Sequence, residues 1–302
     1  MKDKEKRAGR RAEQSSESQT SFRAEGSSFS FSPPKKRFGQ NFLCDERVIK
    51  RLIQEVSPRA DETIVEIGPG RGALTSRLVE LAGHLYAIEF DRDLIPQISA
   101  RFGAHPNFTL IEGDALTVNL CEVIAPAAQA RVVANLPYYI STAILQRLIE
   151  QRACLTEMVL MLQREVVERI TAPPSSSERG FLSVLVEAYC EAEALFDVPP
   201  TAFQPVPKVW STVVRLRVRS QPAIHIADEQ LFRRIVSACF AQRRKTIFNN
   251  LRNAAADLGS LIEQAGGVAS ALESAGIEAR RRAETLTLEE WDRLARILEQ
   301  NS

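Results

Sequence analysis

Four short apolar runs rich in β-branched residues, each separated from the next by a helical stretch, constrain this chain more than any other feature. They occupy residues 63–67, 85–88, 108–111 and 131–134. Strands that alternate with helices imply βαβ units and a mostly parallel sheet. Such a sheet binds ligands at the carboxyl ends of its strands. Those ends carry Gly68, Glu89, Asp114 and Asn135. Their recurrence at four successive strand ends predicts one composite site.

Helical spacing of Val48, Leu52, Ile53 and Val56 predicts a helix that Pro58 ends. Leu74, Leu78 and Leu81 predict an amphipathic helix over residues 73–82. Further strands are expected at 157–162, 184–194 and 212–218. Beyond about residue 221 only helical periodicity remains, as in Leu231, Ile235, Val236 and Cys239. The expected organisation is a Ser-rich tail (1–34), an α/β domain (35–220) and a small all-helical C-terminal domain (221–302).

The first strand runs into Gly68-Pro69-Gly70-Arg71-Gly72. Glycines let such a turn close tightly and approach a ligand where a Cβ would clash. Glu89 lies 21 residues past Gly68, at the next strand end. A carboxylate there can accept the ribose hydroxyls of an adenosine-containing cofactor. Asp114 is placed to accept from an adenine amino group. A plain loop is one alternative for the glycine turn, and a dinucleotide site is another. The dinucleotide fingerprint is G-x-G-x-x-G with pyrophosphate on the helix N-terminus. The spacing here is G-x-G-x-G with a proline inside. Together with Asp114 and the loop at the fourth strand end, it favours S-adenosylmethionine, which has no phosphate to cradle.

That fourth loop reads Asn135-Leu136-Pro137-Tyr138. The exocyclic amine of a purine is a poor nucleophile because its lone pair is delocalised into the ring. A site that methylates it needs acceptors for the amine hydrogens and an aromatic face for the base. The Asn135 side-chain carbonyl and the backbone carbonyl of Leu136 or Pro137 can accept. Pro137 fixes the turn and brings no competing N–H, and the Tyr138 ring can stack on a base. An ordinary turn with a core aromatic is the structural alternative. No Ser-His-Asp or Cys-His nucleophile is visible, and a methyl donor needs none.

Net charge is +1 over 302 residues, but it is unevenly spread. Residues 1–37 hold ten Lys/Arg against five Asp/Glu, and residues 201–253 hold ten against two. This asymmetry hints at a polyanionic partner, with a solvated basic surface as the alternative. The five cysteines form no C-x-x-C pair, so they are read as reduced core residues of a cytoplasmic protein. The three histidines are scattered, and no metal site is expected. No apolar run approaches the roughly 18–20 residues of a membrane span. The first 34 residues hold eight serines and mixed charge, which reads as a disordered tail.

From residue 35 to residue 298 the chain resembles the small-subunit ribosomal RNA adenine N6,N6-dimethyltransferases. The resemblance rests on motifs in that family's order: Phe38-Gly39-Gln40-Asn41-Phe42-Leu43, Glu66-Ile67-Gly68-Pro69-Gly70, Glu89-Phe90-Asp91-Arg92-Asp93-Leu94, Gly113-Asp114-Ala115 and Asn135-Leu136-Pro137-Tyr138. Met161-Leu162-Gln163-Arg164-Glu165-Val166, Phe203-Gln204-Pro205-Val206-Pro207-Lys208-Val209 and Gln242-Arg243-Arg244-Lys245-Thr246 follow. It implies a class I (Rossmann-like) S-adenosylmethionine methyltransferase fold and dimethylation of two adjacent adenosines in the 3′-terminal hairpin of 16S rRNA. The implied partner is the immature small subunit; a monomer without membrane contact is expected.

The resemblance further implies that Gln40, Asn41 and Leu43 hold the cofactor's methionine end, and that Gly68, Gly70, Glu89, Asp114 and Asn135 contact the rest. Lys208, Arg243, Arg244 and Lys245 suit RNA phosphate. Phe181 stands where bacterial members often carry a basic residue and is a candidate for stacking on the target base. Tyr139 stands where many carry Asn. The large-subunit rRNA adenine methyltransferases of macrolide resistance share the cofactor and loop motifs. The runs at 242–246 and 281–286 look more like the small-subunit family. A ribosome-assembly factor that acts mainly by binding is a third reading, and a dinucleotide oxidoreductase a fourth.

Overall fold

The structure is a computed structural model that describes residues 39–300. The tail assigned to 1–34 and the first motif's Phe38 lie outside the described residues.

The first part is an α/β sandwich. A two-residue strand β1 (Phe42–Leu43) and helix α1 (Glu46–Val56) lead in. Then come β2 (Thr63–Ile67), α2 (Thr75–Leu81), β3 (His84–Glu89), α3 (Ile95–Phe102) and β4 (Phe108–Glu112). They are followed by α4 (Leu120–Val123), β5 (Ala130–Asn135), α5 (Ser141–Glu150), β6 (Leu155–Gln163), α6 (Arg164–Ile170) and α7 (Phe181–Tyr189). Strands β7 (Cys190–Val198), β8 (Phe203–Gln204) and β9 (Ser211–Val218) complete it. The large sheet has the order β4-β3-β2-β5-β6-β9-β7. The first five strands are parallel, and β9 enters antiparallel between β6 and β7. The strand order reverses between β2 and β5, which opens a crevice at their carboxyl ends. Strand β1 pairs with β8, so the segment before α1 is pinned beside the loop that feeds β9.

The central strands are buried on both faces, as helices on either side require. Val65, Ile67, Val132 and Ala134 belong to the cluster on one face, while Ile64, Leu85, Ala87 and Val133 pack on the other. The first cluster continues without a break through α7 into the C-terminal helices α8 (Glu229–Phe240), α9 (Ile247–Arg252), α10 (Ala256–Gln264), α11 (Gly267–Ser274) and α12 (Leu288–Glu299). The last strand ends at Val218 and only helices follow among the described residues, but the core runs unbroken across residue 221. Ion pairs reinforce this seam: Arg152 meets Glu229, and Arg233 meets Glu150 at 2.6 Å. No helix among the described residues is long and apolar enough to cross a membrane.

Two expectations are corrected. Residues 184–189 are helical, and strand structure begins only at Cys190. Val184, Leu185, Val186, Ala188 and Tyr189 are all buried, and a helix buried nearly all round loses the 3.6-residue period that would identify it. Its start is set by Gly180, whose N–H donates to Ser183 Oγ at 2.8 Å. Second, Cys121 and Cys154 form a disulfide, while Cys44, Cys190 and Cys239 are free. The pair is separated by 33 residues and brought to a Cα–Cα distance of 5.5 Å, within the range a disulfide spans. Gln151 aids the approach: its Oε1 accepts the Leu120 N–H at 2.6 Å, tying α4 to the end of α5.

Candidate active site

A cavity of about 330 Å³ lies at the carboxyl ends of β2, β3, β4 and β5. Gly68, Gly70, Glu89, Asp114 and Asn135 all line it, as do Gln40, Asn41, Leu136, Pro137 and Tyr138. The structure thus brings together residues drawn from five separate stretches of sequence.

All three glycines of the first turn have positive φ, +68° at Gly68, +59° at Gly70 and +78° at Gly72, a region that residues other than glycine rarely adopt. A Cβ on Gly68 would meet no atom within 4 Å, whereas one on Gly70 would stand 3.2 Å from the Phe42 ring. The turn therefore leaves room for a ligand at Gly68 and is itself closed by Phe42. Over that ring lies the Arg71 guanidinium, 4.4 Å from the centroid.

Glu89 is 6% exposed. Its Oε1 accepts the N–H groups of Phe90 (3.0 Å) and Asp91 (2.8 Å), and its Oε2 accepts that of Gly70 (3.2 Å). Burial raises its pKa, and these backbone bonds partly oppose the rise. Beneath it Glu66 is wholly buried and accepts from Thr75 Oγ1 at 2.7 Å. Desolvation, with Glu89 adding repulsion, pushes the Glu66 carboxyl to about 8. Asp114 Oδ1 accepts the Leu116 N–H at 2.9 Å.

The segment from Gly39 to Phe42 crosses the cavity and is held by two side-chain bonds. Gln40 Nε2 donates to Asp91 Oδ2 at 2.7 Å, and Asn135 Nδ2 donates to the Asn41 carbonyl at 3.2 Å. Only an amide N–H can meet a carbonyl oxygen, so this bond fixes the rotamer and reserves Asn135 Oδ1 as an acceptor. The Leu136 N–H donates to Met161 O at 3.2 Å, and the Pro137 carbonyl takes the Ile140 N–H at 3.2 Å. Of the two backbone acceptors considered, Leu136 O is therefore the one not drawn into the turn. Tyr138 Oη lies 2.7 Å from Ser211 Oγ, which orients the half-buried ring.

Some expected residues stand elsewhere. Leu43 is buried in the core, and its neighbour Phe42 lines the cavity instead. Phe181 opens α7, packs half-buried against the core and does not line the cavity. Lys208 is exposed in the loop before β9. Arg244 and Lys245 are exposed in the turn between α8 and α9. Arg243 reaches the backbone carbonyls of Ser177 and Arg179, so it clamps the loop before α7 to the helical region. The sequence reading missed Phe90, Asp91, Leu116 and the support from Glu66. Phe90, 56% exposed at the cavity's edge, carries a visible signal: a bulky aromatic directly after a strand-end acid.

Among the described residues, the cavity's lining includes the acids Glu89, Asp91 and Asp114 and no Lys, Arg or His. A pyrophosphate would meet no cation among them. An adenosine carrying a positively charged sulfonium suits its acidic lining in sign. Among the described residues no His/Cys/Asp/Glu group could hold a metal ion.

The family profile described as ribosomal RNA adenine dimethylase matches residues 32–300. "Ribosomal RNA small subunit methyltransferase A" of Geobacter sulfurreducens is 44% identical over 264 residues, 87% of this chain and 94% of that protein. The protein of the same name from Hahella chejuensis is 41% identical over 261 residues, 86% of this chain and 91% of that one. Among solved structures, the 23S rRNA methyltransferase ErmE superposes with a TM-score of 0.61 at 27% identity, covering 86% of this chain and 100% of that one. A dimethyladenosine transferase from Plasmodium falciparum reaches 0.72 at 23% identity, covering 86% and 98%, and shows the shared fold. With a profile that spans the α/β part and the C-terminal helices, and the strand-end residues gathered round one cavity, the chain belongs to the ribosomal RNA adenine dimethylase family.

Proposed function

We propose that this chain dimethylates N6 of two adjacent adenosines in the 3′-terminal hairpin loop of 16S rRNA, acting as a monomer on the immature small subunit in the cytoplasm. The observation that carries the reading is a cavity that gathers Glu89, Asp91 and Asp114, with no cation among its described residues, and that opens onto Asn135 and Tyr138.

S-adenosylmethionine supplies an electrophilic methyl group to the N6 amine when bound. Every other task falls to the chain. Glu89 accepts from the ribose, Asp114 from the adenine amine, and the Gln40–Asn41 segment covers the methionine end. Gly68 and Gly70 give the backbone room there. On the target side, Asn135 Oδ1 and Leu136 O accept the two N6 hydrogens and localise the nitrogen lone pair. Tyr138, steadied by Ser211, stacks on the splayed base. A hairpin loop surrenders a base at lower cost than a duplex. Lys208, Arg244 and Lys245 are the candidate phosphate contacts outside the cavity, which makes binding salt-dependent.

The test is methyl transfer from labelled S-adenosylmethionine to small and large subunits that lack dimethyladenosines, with the labelled base mapped. Label as N6,N6-dimethyladenosine in the small-subunit 3′ hairpin is the expected result. Label confined to the large subunit would refute it. Particle binding without label would leave an assembly factor.

A further inference from the structure

The chain has two tryptophans. Trp291 is fully buried in the C-terminal helices, 5.9 Å from Phe240. Trp210 is 46% exposed, beside Val206 at 63% and Val209 at 40%. Apolar exposure of this kind, gathered in one six-residue loop (205–210), marks a surface that something covers.

The loop's two anchors fix where it lies. At its start, Gln204 pairs with Phe42, which lines the cavity. At its end, Ser211 holds the hydroxyl of Tyr138, also in the cavity wall. The Arg164 N–H donates to the Trp210 carbonyl at 3.0 Å, which places the loop at the carboxyl end of β6. It therefore rims the target side of the cavity. Cations flank the indole: the Arg164 guanidinium lies 5.9 Å from its centroid, and Lys208 is exposed two residues earlier. Arg164 is balanced by Asp197 at 3.2 Å and Glu168 at 3.5 Å, so Lys208 supplies the patch's positive charge.

We propose that Trp210 is a stacking platform for the nucleotide next to the target adenosine, with Lys208 on the intervening phosphate. This inference rests on the RNA substrate proposed above. When the target base swings into the cavity, its neighbour loses a stacking partner, and an indole face at the rim replaces it. Stacking on an aromatic ring tolerates any base. The platform thus lowers the cost of splaying without adding sequence preference.

The test uses small subunits lacking the dimethyladenosines. Trp210→Ala raises KM for the particle about tenfold, in line with the roughly 1–3 kcal/mol of one base stack. Its kcat at saturating particle and its cofactor affinity stay at wild-type values, and Trp210→Phe recovers most of the loss. Ultraviolet cross-linking of the wild-type complex joins Trp210 to a nucleotide beside the methylated pair, with buried Trp291 as the internal control. Wild-type KM in Trp210→Ala overturns the proposal. So does a raised KM with Trp210 cross-linked to a ribosomal protein. If the wild-type enzyme transfers no methyl to small subunits, the underlying functional reading fails instead, and the platform with it.

Discussion

Replacing Glu89 probes the cofactor site where its geometry is best defined. Oε1 already accepts two backbone N–H groups, at 2.8 and 3.0 Å, while Oε2 accepts one, at 3.2 Å. A carboxylate oxygen has two lone pairs in its plane, so Oε1 is saturated and Oε2 retains one strong acceptor site. In its proposed role Glu89 therefore has one full charge-assisted bond to give the ribose, or to share between the two hydroxyls. Such a bond contributes about 1.5–3 kcal/mol, equivalent to roughly 10- to 150-fold in Kd. Glu89→Ala should weaken S-adenosylmethionine binding by that factor in isothermal titration calorimetry. Glu89→Gln should lose less, because an amide still offers one acceptor and one donor. Burial holds the Glu89 carboxyl above its ordinary pKa, so wild-type affinity should fall as pH drops toward mild acidity, and that slope should be shallower in Glu89→Gln. A melting scan without cofactor separates misfolding from lost contact. A folded Glu89→Ala protein within threefold of wild-type affinity would refute the ribose assignment.

Asn135→Ala removes the acceptor proposed for the target amine, so kcat should fall about 100-fold, the size of a lost transition-state contact, with cofactor Kd changed less than tenfold; the reverse split would assign Asn135 to the cofactor. Glu66 sits near 8 in the folded protein, against 4.5 as its ordinary value. The folded state thus holds a proton that the unfolded chain releases, and stability declines as pH rises from about 4.5 to 8. Denaturant melts of Glu66→Gln should show a flatter profile across that window, and an unchanged slope would contradict the buried-acid picture. Reducing the Cys121–Cys154 pair, which closes a loop with a separation of 33 residues, should lower stability by about 3–4 kcal/mol on the chain-entropy account. Cys121→Ser should abolish the effect of reductant, and a wild-type melt indifferent to reductant would show that the thiols are unpaired in solution.

The parallel half of the sheet was legible because each strand is a compact β-branched run with a turn signal at its end, as at Gly68 and Asn135. Cavity residues were readable for the same reason, since strand ends converge whatever the loops do. Reading failed where burial erased periodicity, as in α7, and where contact depends on tertiary placement. Nothing local distinguishes Cys121 and Cys154 from the other cysteines, and nothing local says that Arg243 meets carbonyls of the loop before α7. Leu43 shows a finer limit. A two-residue strand alternates its side chains, so of the adjacent Phe42 and Leu43 only one can face the cavity. The β1–β8 pairing, set by residues 160 positions away, decides which.

That same pairing bears on how the site works. The segment Gly39–Phe42 is tied at one end by β1 to β8 and across the cavity by Gln40 to Asp91 and by Asn135 to Asn41. Asp91 follows Glu89 on the cofactor side, whereas Asn135 heads the target loop. One strap thus touches both halves of the reaction. The bond that fixes the Asn135 side chain is also one of those that hold the strap. On the roles proposed above, a cofactor that holds the strap down would also hold the Asn135 rotamer, so cofactor binding and target positioning are expected to be coupled.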